Sequence, residues 1–230
     1  MTINPRFLII PALVATLQGA SAGDLTGSIS LTGTPPEPKT NDHISSNADC
    51  SKFHPEPVKV SFYEVGPKKE LGDVVVIIKN INAKSTGASA APLLLDQKGC
   101  EYSPYVSAVQ TSQKIEVKNS DPILHNVHDT PTVDGNKEKN LAQMGGSANL
   151  TFTFPNPENF LRFKCEVHDW MVCYVTVVDH PYFAVSGKDG KYTVEATHRK
   201  ANGGKPVSKE IEVKADGAVL DFSMEVPAPK

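Results

Sequence analysis

Apolar residues recur along this chain in short runs with a period of two, and turn-forming residues separate the runs. Leu25, Gly27, Ile29 and Leu31 alternate with polar positions until Gly33-Thr34-Pro35-Pro36 ends the pattern, which predicts a first strand and a turn. Residues 34–57, rich in Pro, Asn, Asp and Ser, read as a long loop. Strands resume at Val58–Phe62 and at Asp73–Lys79, where Val74-Val75-Val76-Ile77-Ile78 is a continuous apolar run suited to a strand covered on both faces. After a small, polar loop at 83–91, strand patterns follow at 93–95, 102–106 and 114–119. In the last of these, alternation places Ile115 and Val117 on the core face and the lysines outside. Beyond His125 a stretch rich in Asn, Asp and Gly reads as a loop to about Ser147. Leu150–Phe154, Phe160–Phe163 and Val172–Val178 then read as strands, the last two joined by a connection of six or seven residues. Beyond Asp179 four short strand patterns, at 180–185, 190–196, 211–213 and 219–224, are separated by Lys- and Gly-rich joints and predict a small appended β module. β-Branched residues dominate the short apolar segments, so the chain is expected to be all-β.

The N-terminus changes the picture of where the chain works. Arg6, the apolar run Phe7–Leu17 and the small-residue end Ala20-Ser21-Ala22 have the form of a removable signal over residues 1–22. The run contains Pro11 and falls short of the ~20 residues that span a bilayer, so the expectation is export to the periplasm or beyond, with no membrane span after removal. The whole chain carries 23 basic and 26 acidic residues. Loss of Arg6 with the signal leaves 22 against 26, a net −4 on the remaining 208 residues. So mild a balance argues against a nucleic-acid partner, which needs a basic face. Four cysteines in an exported chain invite pairing. Cys50 and Cys100 both lie in polar, turn-like surroundings and are the expected pair, while Cys173 sits inside an apolar strand as a buried thiol. Pairings of Cys173 with Cys50 or Cys100 stay open at this point.

The candidate chemistry lies in Cys165-Glu166-Val167-His168-Asp169-Trp170-Met171 and, forty residues earlier, in Asp121-Pro122-Ile123-Leu124-His125-Asn126-Val127-His128. Cys165, His168 and Met171 follow one another at three-residue intervals between two strands, and His125 stands at the end of another. One thiolate, two imidazoles and one thioether form the donor set of a mononuclear blue-copper centre: soft sulfur favours Cu(I), and imidazole also satisfies Cu(II). A closed zinc site fits less well, because structural zinc prefers strong tetrahedral ligands to a thioether. A binuclear copper site needs two bridging cysteines with a histidine beyond the second, and Cys165 with Cys173 lacks that spacing. His128 and Met144 are further metal-binding side chains, expected to be solvent-exposed loop residues.

The runs KNSDPILHNVH and FKCEVHDWM resemble the cupredoxins, the blue-copper electron-transfer proteins, over about residues 72–179. The resemblance implies a Greek-key β-sandwich at 72–179, preceded by a β extension at 23–71 and followed by the module at 180–230. It implies one type 1 copper ion, with His125, Cys165 and His168 as the trigonal ligands and Met171 as the weak axial one. It further implies that Asn126 ties the two ligand loops together, and that a redox protein such as a cytochrome docks near His168, with Trp170 close by. The segments His180–Val185 and Gly190–Val194 resemble part of a carboxypeptidase regulatory-like module.

No nucleophile elbow, phosphate loop or dinucleotide fingerprint occurs, and no His-x-His pairs suggest a trinuclear oxidase centre. Four protein ligands leave a metal no open position, so the expectation is an electron carrier and not an enzyme. The rival readings are a copper-storage or copper-delivery protein using the same ligands without electron transfer, and an adhesive surface protein in which the β modules matter more than the metal.

Overall fold

The structure, a computed structural model, describes residues 25–26, 29–67, 69, 71–182, 190–197, 199–213 and 218–227. The expected signal at 1–22 and the end of the expected strand at 180–185 lie outside them. Nine strands form the central sandwich: β1 Leu93–Lys98, β2 Glu101–Ser103, β3 Val106–Gln110, β4 Ile115–Asn119, β5 His125–Thr130, β6 Lys139–Gln143, β7 Leu150–Phe152, β8 Glu158–Lys164 and β9 Val172–Val178. One sheet has the order β6-β5-β8-β9-β3 and the other β7-β4-β1-β2, so the chain crosses repeatedly between the layers. The expected all-β Greek-key sandwich is the observed architecture. Period-two alternation drives it. Ile115 and Val117 of β4 face inward as predicted, and meet Val127, Leu161, Phe163, Val175 and Val177 from the opposite sheet. Phe163 packs edge-on against Phe152 and Phe154, with ring centroids 5.4 and 6.1 Å away. Each such buried aromatic ring contributes about 1.5–3 kcal/mol through surface removed from water.

The Val75–Lys79 strand is covered on both faces, as its continuous apolar run predicts. Val75 and Ile77 pack against Val178 at the far end of β9, while Ile78 joins a second core with Leu31, Tyr63, Leu71, Phe222 and Met224. That second core is built from both ends of the chain. Val75–Lys79 pairs antiparallel with Gly190–Thr197, which pairs in turn with Val207–Val213. The Phe222–Glu225 strand lies parallel to Ile29–Thr32.

Two expectations need correction. The 125–147 stretch is the β5–β6 hairpin and not a loop. Residues 125–130 do alternate buried and partly buried, but the buried positions are His125, Val127 and Asp129, two of them polar, and an apolar pattern therefore fails to register. Within 34–57 lie a five-residue helix, Asp42–Ser46, and a 3-10 turn, Cys50–Phe53. The helix is capped by the Asn41 side chain, which accepts from the Ile44 amide at 3.3 Å. A helix of five residues shows too little of a 3.6-residue period to be read from sequence.

Candidate metal centre

β4 leads directly into the first half of the site. Asn119, at its end, donates through Nδ2 to the carbonyls of Ile123 and Gln143 and accepts from the Asp121 amide at 3.0 Å, which folds Ser120–Leu124 into a compact turn. Gln143 is fixed in the same network, accepting from Gln97 Nε2 at 2.6 Å and donating to the Val117 carbonyl. Gly145 lies so close to this turn that a Cβ there would stand 2.3 Å from the Asp121 carbonyl oxygen, so only glycine fits. His125 follows as the first residue of β5, with no solvent exposure.

The second half is the seven-residue connection from β8 to β9. The Cys165 amide donates to the Met171 carbonyl at 3.0 Å and the Met171 amide to the His168 carbonyl at 2.9 Å, so the connection closes on itself. Asn126 ties it to β5: its amide donates to Cys165 Sγ at 3.5 Å, and its side chain accepts from the Glu166 amide.

Three of the four sequence-expected ligands meet directly. His125 Nδ1 and His168 Nδ1 are 3.0 Å apart, and Cys165 Sγ lies 3.6 Å from His168 Nδ1 and 4.0 Å from His125 Nδ1. A point equidistant from these atoms lies about 2.1 Å from each, within the roughly 2.0–2.3 Å of metal bonds to imidazole nitrogen and thiolate sulfur. The donor set and its spacing therefore fit a single metal ion. Met171 is buried and its backbone is bonded to both Cys165 and His168. His128 stands three residues from His125 on the same strand, and alternation turns it to the other face. There it bridges Glu138 and Glu166. Met144 is exposed. Neither joins the three donors.

The protonation of these groups follows from their contacts. Burial by itself pushes the Cys165 thiol up, but the His125 ring and the amides of Asn126 and Val167 outweigh it and hold the thiol below its ordinary value. Burial by itself lowers His125, yet hydrogen bonds to Asp121 and Cys165 raise it to about 9. His168 is lowered, by burial first and by the neighbouring His125 charge second. Cys173 is raised by burial alone, in keeping with an inert core thiol.

Two features were not read from the sequence. The first is Asp121, whose carboxylate accepts from His125 Nε2 at 2.9 Å and from the Gly99 and Cys100 amides at 2.6 and 2.8 Å. Its place four residues before His125, in an Asn-Ser-Asp-Pro turn, was the available signal. The second is a cap. Cys50 and Cys100 form the expected disulfide, which carries the 41–54 segment across the end of the sandwich. Ile44, Phe53, Ile123 and Trp170 pack around that disulfide, and the Trp170 indole donates to the Cys100 carbonyl at 3.0 Å. The Trp170 ring lies 5.1 Å from the His168 ring, and His168 is only 6% exposed. The disulfide sulfurs also approach His168, but being bonded to each other they are not thiolate donors. Of the possible clusters among the described residues, His125, Cys165 and His168 alone supply three free donor atoms with a thiolate.

No family model and no curated protein matches the chain. Among solved structures it is similar to a mutant of amicyanin in its Cu(I) form, at 19% identity over 44% of this chain and 97% of that one, with a TM-score of 0.34. It is similar to a copper-containing nitrite reductase from Thermus scotoductus at 18% identity over 44% of this chain, with a TM-score of 0.35, and spans only 25% of that enzyme. A purple cupredoxin from Nitrosopumilus maritimus is similar at 18% identity over 37% of this chain and 98% of its own, with a TM-score of 0.31.

Proposed function

We propose that this protein is an exported blue-copper carrier that passes single electrons between redox partners through one type 1 copper, held by His125, Cys165 and His168 with Met171 as axial ligand. The observation that carries this reading is the buried triangle of two Nδ1 atoms and one Sγ, at 3.0, 3.6 and 4.0 Å. Bound copper supplies one-electron cycling between Cu(I) and Cu(II). The protein's own residues make that cycling cheap. The Cys165 thiolate suits the reduced ion and the imidazoles suit both states. The short 165–171 connection and the Asn126 bridge fix the donors in place, and the cap and the sandwich core exclude water. The Cys50–Cys100 disulfide favours an oxidising compartment, in line with a periplasmic or secreted location. A redox partner, for which a cytochrome is a suitable class, docks over the 165–171 connection near His168 and meets the cap there. Storage or delivery is the weaker reading, because donors no more than 6% exposed suit a retained ion better than one handed on.

The test is the visible spectrum of residues 23–230 after addition of Cu(II), then of a mild reductant. An intense blue band that bleaches on reduction, and that is absent in Cys165→Ser, is expected. Copper binding without colour removes Cys165 from the ligand set and overturns the carrier reading.

A further inference from the structure

The first imidazole of the site is backed by a carboxylate that is itself completely built in. His125 has no solvent exposure and Asp121 has 4%. His125 Nε2 faces Asp121 Oδ2 at 2.9 Å, on the side of the ring opposite the Nδ1 that faces Cys165 and His168. The carboxylate cannot swing away. Its oxygens accept from Gly99 N at 2.6 Å and Cys100 N at 2.8 Å, its own amide is held by Asn119 Oδ1, and Cys100 is anchored by the disulfide. Three N–H donors thus converge on one buried anion. The arrangement has two physical consequences. An anion that only accepts hydrogen bonds requires a proton on Nε2, which leaves the Nδ1 lone pair directed at the other two donors. A fixed negative charge behind the ring, where water does not screen it, also favours the more highly charged state of an ion bound at Nδ1.

We propose that Asp121 is a positioning residue of the metal centre that fixes the His125 tautomer and biases the bound copper toward Cu(II). This rests on the copper reading above. Among the described residues no carboxylate backs His168 in the same way: its ring meets Trp170 and the disulfide instead. The two histidines are therefore unequal, one electrostatically strengthened and one covered by apolar groups.

Asp121→Asn retains the shape and an acceptor oxygen but removes the charge. Cu(I) and Cu(II) affinities, measured by competition with chelators of each state, are expected to show the Cu(I)/Cu(II) affinity ratio rising at least tenfold in the variant, equivalent to a rise of about 59 mV for a one-electron couple. The blue band should persist. A measurement that needs no folded variant accompanies it: in the copper-loaded, reduced wild type, nitrogen-15 NMR should show a slowly exchanging His125 Nε2 proton. An unchanged ratio with the band intact, or a His125 Nε2 proton that exchanges freely, overturns the role of Asp121 alone and leaves it as a brace for the Gly99–Cys100 turn. A wild-type chain without any copper–thiolate band overturns the copper reading itself, and the redox bias with it.

Discussion

Met171 occupies the most sensitive position for a single-residue test, because its side chain is buried in the main core at the end of the connection that carries Cys165 and His168. Met171→Leu conserves volume and costs less than about 1.5 kcal/mol of stability. Under the copper reading proposed above, loss of the thioether removes a weak sulfur donor, and axial ligation is a lever on the potential of such centres. The expected outcome is a higher reduction potential with the blue colour retained, read by voltammetry and absorption. Loss of copper from the variant contradicts a tuning role. At this scale the sequence was informative where chemistry and spacing coincide. Cys165, His168 and Met171 share one short connection, so their three-residue rhythm is a local property. Asp121 was only half legible: its place four residues before His125 is local, but its partners at Gly99 and Cys100 are more than twenty residues away, and only the fold brings them together.

The element that most alters the site is the cap, and the disulfide is what holds it there. The two cysteines are 50 residues apart in sequence, and closing a loop of that length removes about 4 kcal/mol of chain entropy from the unfolded state in the chain-entropy model. Joint replacement of Cys50 and Cys100 by alanine is therefore expected to lower stability by about 2–4 kcal/mol. It should also loosen the packing of Trp170 against Ile44 and Phe53. Trp170 is the only tryptophan of the chain, so tryptophan fluorescence reports on this one place, where the cap meets the main core and His168. A red shift and easier quenching by acrylamide are expected in the double variant. Fluorescence identical to that of wild type means that the 41–54 segment stays seated without its covalent tie. The two cysteines were legible as a pair from their turn-like surroundings. The cap they create was not, because its helix has five residues and its apolar contacts come from three separate parts of the sequence.

At the scale of the molecule, the sandwich that carries the site meets the second core along Val75–Lys79 and through Arg199, whose guanidinium donates to the Tyr105 hydroxyl at 2.7 Å and lies 4.7 Å from the centre of the Tyr174 ring. Val75–Lys79 presents Val75 and Ile77 to Val178 of the sandwich and Ile78 to the second core, where Phe222 and Met224 from the C-terminal segment meet Leu31 and Tyr63. The appended pattern beyond residue 180 was visible in the sequence, but its partners were not, since strand pairing between residues 29–32 and 222–225 leaves no local trace. A chain ending at Asp179 loses the strand that pairs with Val75–Lys79 and uncovers Leu31, Tyr63, Leu71 and Ile78 together. Its thermal midpoint should fall by well over the shift of a single core truncation, itself about 3–5 kcal/mol for a phenylalanine such as Phe222, and it should bind a hydrophobic dye. The metal centre should feel little of this. Val178 lies at the other end of β9 from Met171, seven residues on and about 23 Å away, and Tyr174, over which Arg199 lies, alternates with Cys173 and Val175 and so sits on the face of β9 away from the main core. In whatever fraction of the truncated chain remains folded, the copper band is therefore expected at the wild-type wavelength. A displaced band would show that the second core reaches the ligands through the sandwich, and would make the C-terminal segment part of the centre's tuning instead of a support for the strand beside it.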